Sequence, residues 1–117
     1  MKRTEKKSEE GLEGSEGNVE GNNSDTAKKH FSDTSSHHYF HVANGIVIKN
    51  LYGLDAALDI MSDDTFAHHV NADKNDFATW IRDVFQDDVL ASAVAGATDR
   101  KHMQLLLLRH LVGVLLS

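Results

Sequence analysis

Glutamate and glycine set the first limit on this chain. Glu5, Glu9, Glu10, Glu13, Glu16 and Glu20 are interleaved with Gly11, Gly14, Gly17 and Gly21, while larger apolar residues are sparse: Leu12, Val19 and Phe31. Such a segment cannot bury enough apolar area to offset the entropy of ordering its backbone. Residues 1–38 are therefore expected to form a disordered low-complexity tail. The positive start, Met1 to Lys7, has no apolar stretch behind it and does not read as a signal peptide. Folding is left to residues 39–117, which are 79 of the 117. That length allows one small domain, burying only ~60–65% of the surface its unfolded chain exposes. Pairing of subunits would add to its modest stability.

Charge narrows the partners. The segment from Tyr39 carries ten Asp, no Glu and six Lys+Arg, and the whole chain has a formal charge of -6. A general nucleic-acid binder needs a basic face to displace counterions, so no nucleic-acid partner is expected. With no Cys, disulfide scaffolds, thiolate zinc sites and cysteine nucleophiles are excluded. No glycine loop of phosphate-cradling spacing is present.

Local signals point to a mainly α fold: a small helical bundle of four to five helices with a short N-terminal β-hairpin. Asn44-Gly45 lies between apolar runs, and both residues tolerate the positive φ of a type I′ turn. A two-residue turn would set Ala43 opposite Ile46 and Val42 opposite Val47. Asn50 is placed to cap a helix over 51–61 and Ser62 one over 63–70. Asn75 is placed to cap 76–86, with Phe77, Trp80, Ile81, Val84 and Phe85 facing inward. Asp87 opens a short fourth helix ended by Gly96, and Thr98 opens the last, over 99–116.

The last helix is apolar almost all round, broken by Gln104, Arg109 and His110. It spans ~25 Å at about 1.5 Å per residue, too short to cross a bilayer, so no stable membrane insertion is expected. It is expected to form the centre of the core, with the remainder closed by a second copy. Leu105, Leu108, Leu111, Val112 and Leu115 are the candidate dimer interface.

The candidate contact cluster is His68, His69, Asn75, Asp76, Trp80 and Asp83, where one helix ends and the next begins. A His–carboxylate pair there could orient an imidazole for acid–base work. The alternative is that the histidines cap the preceding carbonyls while Asn75 and Asp76 satisfy the following amides. No nucleophile, second base or oxyanion donor joins them, so no catalytic residue is assigned. His37, His38 and His41 precede the turn. On a strand, His37 and His41 lie ~13 Å apart, too far to share an ion. Asp83, Asp87 and Asp88 lack the spacing and closing Glu of a calcium loop. No metal site and no cofactor is assigned.

The run Phe40 to Leu90 resembles an uncharacterised domain-of-unknown-function family of archaea and bacteria. The matching pieces are Asn44-Gly45, Ile48-Lys49-Asn50-Leu51, Phe66 with His68-His69-Val70-Asn71, Lys74-Asn75-Asp76-Phe77 and Trp80-Ile81-Arg82-Asp83-Val84. Gly53 stands where that family usually has a Glu. The resemblance implies a small helical module with no established activity, and implies that the regions around His69 and Asp76–Trp80 matter to it. Together these readings lead to a non-catalytic interaction or regulatory module, cytoplasmic and self-associating as a homodimer or with a protein partner. The competing reading is a small ligand- or metal-binding protein, or weak enzyme, using His68, His69, Asp76 and Trp80.

Overall fold

The computed structural model describes residues 29–116. Of the tail expected over 1–38, residues 1–28 lie outside the described residues. Residues 29–31 are helical, and a short 3₁₀ turn covers Ser36–His38. Strands β1 (Phe40–His41) and β2 (Val47–Ile48) form an antiparallel hairpin. Helices follow: α1 (Leu51–Ile60), α2 (Asp63–His69) and α3 (Asp76–Trp80), the last widening into a π turn over Ile81–Phe85. Then come α4 (Asp88–Ala95) and α5 (Arg100–Leu116). The described residues are mainly helical, as their periodicity predicts.

Side-chain caps fix where the helices start, because the first amides of a helix have no internal acceptor. Asn50 accepts from Gly53 N at 2.7 Å, Ser62 from Thr65 N at 3.1 Å, Asn75 from Ala78 N at 3.0 Å and Asp87 from Leu90 N at 2.9 Å. At α5 the cap is Asp99 rather than Thr98: Asp99 Oδ1 accepts from His102 N at 2.8 Å, and His102 Nδ1 accepts from Thr98 N at 3.0 Å. The arrangement is a variant of the capping box: a histidine takes the usual glutamate place, and its return bond reaches Thr98 N, one residue before the cap.

The hairpin register differs by one residue from the two-residue turn. Phe40 pairs with Ile48 and His41 with Val47, and Val42 N donates to Ile46 O at 2.9 Å. The loop therefore has three residues, with positive φ at Gly45 alone (94°). Asn44 acts through its side chain, its Oδ1 accepting from Ile46 N at 2.9 Å. Because strand faces alternate, the slip exchanges inside for outside on β2. Ile48 is buried in the core and Val47 is exposed.

The helix predicted over 76–86 is also interrupted. A π turn advances the chain so that residues five apart share a face. Trp80 and Phe85 meet edge to face at 5.2 Å between centroids, and both are buried. Gln86, at φ 56°, ends the turn in the left-handed conformation.

The core holds Ile48, Leu51, Leu54, Leu58, Phe77, Ile81, Leu90, Val94, Met103 and Leu107. α5 lies along α1 and α4 rather than at the centre of a ring of helices. Arg100 ties it to α1, its Nη1 donating to Leu58 O at 2.7 Å at that helix's carbonyl end. Residues 29–38, counted with the tail by composition, pack on the domain. His30 is buried, Phe31 contacts the core, and Thr34 N donates to Lys49 O at 2.8 Å.

Candidate functional site

His69 ends α2 and is 6% exposed. Its Nε2 accepts from Ala43 N at 3.0 Å, and its Nδ1 faces Asp76 Oδ2 at 3.0 Å. A backbone N–H can only donate, so Nε2 carries no proton and Nδ1–H donates to the carboxylate. One imidazole thus joins the hairpin loop, α2 and the first residue of α3. Lys74 Nζ donates to the same Asp76 oxygen at 3.0 Å. Burial works to raise the Asp76 pKa, but the hydrogen bonds from His69 and Lys74 and the Lys74 charge outweigh it and hold the carboxyl below its ordinary range.

The other candidate residues divide. Asn75 caps α3, and its Nδ2 donates to Val94 O at 3.2 Å, so it is a structural clamp between α3 and α4. Trp80 Nε1 donates to His38 O at 2.6 Å. Its indole packs edge to face on Phe40 and Phe85. His68 is exposed and touches His69 only through ring edges at 4.9 Å. Asp83 is exposed on the rim of an open groove of about 370 Å³, which also involves His37, Tyr39, Asp76, Thr79 and Trp80. The structure therefore gathers His69, Asp76 and Trp80 around Phe40 and Phe77, and leaves His68 and Asp83 outside. Both ring nitrogens of His69 are engaged, so neither is offered to a substrate.

On α5, four of the five candidate interface residues face solvent: Leu105 at 47%, Leu108 at 39%, Val112 at 50% and Leu115 at 62% exposure. Leu111 does not join them. It is 3% exposed and packs in the core, because the inner stripe of α5 runs Met103, Leu107, Leu111.

A second polar cluster escaped the sequence reading. Asp87 Oδ2 receives both His30 Nε2 and His110 Nε2 at 2.7 Å, while its Oδ1 caps α4. These ligating atoms all lie within 4.8 Å of one another, and no other such group of three occurs among the described residues. The residues are 57 and 23 positions apart, so no spacing motif announces them. The available signal was His110 itself, a polar residue on the inner side of an apolar helix.

Burial works to raise the Asp87 pKa, but the Leu90 amide and the two imidazoles outweigh it, leaving the carboxyl below its ordinary range. A lowered folded-state pKa means a contribution to stability that is present above the unfolded value and lost as pH falls toward the folded one. Asp87→Asn keeps a capping oxygen but no titrating charge. In EDTA it is expected to lower neutral-pH stability by about 1–2 kcal/mol and to flatten the loss on acidification, read by urea melts from neutral pH to below the carboxylate range. A wild-type acid slope unchanged in the variant would show that Asp87 does not carry that contribution.

Among the described residues no helix is long and apolar enough to cross a membrane. No family model, curated protein or solved structure matches the chain.

Proposed function

We propose that this protein is a non-catalytic interaction module that self-associates through the outer face of α5. The observation that carries this reading is the exposed stripe Leu105, Leu108, Val112 and Leu115. Its spacing is three, four, three, the seam by which helices interlock side by side. Four large aliphatic side chains on one outward seam form a contiguous apolar patch, whereas singly scattered ones need no explanation. The occupant is a second copy, because a heptad-spaced seam is complementary to itself about a two-fold axis.

Kinship with the archaeal and bacterial domain family belongs to the same proposal. The residues carrying the resemblance, Asn44-Gly45, His69, Asp76, Phe77 and Trp80, converge where the hairpin meets α2 and α3. There they act as a structural lock that supports a module reading over a reactive site.

Light scattering on the full chain tests the proposal. The expected mass is twice the 12.9 kDa of one chain. Placing two carboxylates on the seam, Leu108→Glu with Val112→Glu, is expected to halve it with an unchanged far-UV circular dichroism spectrum. Both positions are solvent-facing in the single chain, so the substitutions leave the core intact. A wild-type chain that stays monomeric at the highest attainable concentration overturns the self-association reading.

A further inference from the structure

We propose that His30, Asp87 and His110 bind a first-row divalent cation, with Zn²⁺ the ion their donors suit. Three separate elements supply them: the helical turn at 29–31, the cap of α4 and the inner side of α5. Both imidazoles present the same nitrogen, Nε2, to the same carboxylate oxygen.

The spacing is close to what coordination needs. Zn²⁺ bonds imidazole and carboxylate donors at about 2.0–2.2 Å in a tetrahedral array, which puts the donors about 3.3 Å apart. The two 2.7 Å contacts would open slightly, and the imidazole nitrogens, within 4.8 Å of each other, would close. The ion would take the place of the hydrogen bonds between Nε2 and Oδ2, with each ring carrying its single proton on Nδ1, as a neutral imidazole ligand must. Asp87 Oδ1 stays on the Leu90 amide, so the carboxylate is already oriented by a second partner.

Access is also built in. A groove of about 390 Å³ opens at the cluster, lined by His30, Phe85, Gln86, Asp87 and Asp88, with Lys29 at its edge held by Gln86 Oε1 at 3.2 Å. It gives the ion a path to His30 and Asp87, from which a water would complete the tetrahedron. Two imidazoles and one carboxylate favour zinc, cobalt, nickel or copper over the all-oxygen preference of calcium and magnesium. A hydrogen-bonded latch needs only one histidine on Asp87. Two that converge by the same nitrogen, beside a solvent path, are the additional feature an ion accounts for. A bound ion would clamp the segment around His30 to α4 and α5, so it would act on the folded state and raise its stability.

The test titrates Zn²⁺ into EDTA-stripped full-length protein by calorimetry, with Co²⁺ as a visible-absorbance probe of tetrahedral geometry. One equivalent per chain is expected, with a rise in Tm. Asp87→Asn and His110→Gln are each expected to weaken binding by at least the ~10–100-fold that loss of a mere outer partner causes. Circular dichroism checks that both variants remain folded. No uptake by the wild type overturns the proposal. So does uptake that the two variants leave unchanged, since the ion would then sit on other imidazoles such as His37, His38 or His68. The site does not use the outer seam of α5, so a monomeric mass and an ion-binding result are read independently.

Discussion

Phe77→Ala is expected to lower the unfolding free energy by about 3–5 kcal/mol, the range for deleting a fully buried aromatic ring. Phe77 is 0% exposed and sits where the hairpin, α2 and α3 meet. Phe40 stacks on it at 4.8 Å, His69 lies 5.4 Å away and Phe66 6.2 Å, all between ring centroids. Removing the ring strips contacts from all three neighbours, and rings anchored on different elements cannot easily collapse into the void. A domain of this size holds roughly 5–10 kcal/mol in total, so the loss is about half of it. Phe77→Leu keeps most of the volume and is expected to cost only about 1–1.5 kcal/mol. Urea unfolding followed at Trp80, the one tryptophan in the chain, measures both. An unchanged m-value with a shifted midpoint assigns the change to stability rather than to denatured-state compaction. A cost below about 1 kcal/mol for alanine would mean that the aromatic cluster does not hold these elements together.

What could be read from the chain follows the range of the interactions concerned. Helix starts were legible because a cap acts over three residues: Asn50, Ser62, Asn75 and Asp87 each accept from the amide three positions on. The last start moved from Thr98 to Asp99 because both residues can cap and the choice depends on His102. The hairpin was legible in kind but not in register. Asn44-Gly45 permits either a two- or a three-residue loop, and burial of Ile48 against α1 selects the latter. The π turn was not legible, since 77, 80, 81, 84 and 85 are also an ordinary helical stripe. Only the demand that Trp80 and Phe85 meet decides otherwise. On α5 the apolar surround hid two stripes. Which one faces the core is set by where α1 and α4 lie, so Leu111 went inward and Leu108 and Val112 outward. His30 was obscured by its surroundings: a mostly polar stretch, Asn22 to His38, that follows the glycine- and glutamate-rich start argues for disorder whatever a single residue later touches. The His69–Asp76 contact was within reach because the partners lie only seven positions apart, whereas the acceptor role of Nε2 toward Ala43 needs the fold.

His69→Ala is expected to cost about 2–4 kcal/mol and to leave the mass of the assembly unchanged. The estimate combines the void left by the ring with two lost hydrogen bonds, one of which abandons a partly buried backbone N–H. Asp76 keeps Lys74, so its charge is not stranded. His69→Phe fills the same volume between Phe40 and Phe77 but cannot accept from Ala43 N. Its cost therefore reports the lost hydrogen bonds, and the additional cost of alanine reports the cavity. Pairing His69→Ala with Asp76→Asn in a double-mutant cycle should give a coupling of at least about 0.5 kcal/mol, because the two side chains touch directly. Acid titration supplies an independent check. The carboxyl of Asp76 titrates below its ordinary range when folded, so its contribution is full at neutral pH and is lost as pH falls toward the folded value. Without His69 one of the causes of that lowering is gone, and the acid slope of stability should become shallower. A lock that joins a hairpin to two helices predicts this pattern of lost stability with retained association. A reactive imidazole would instead leave stability nearly untouched when removed, since a ring held free for substrate contributes little to the fold.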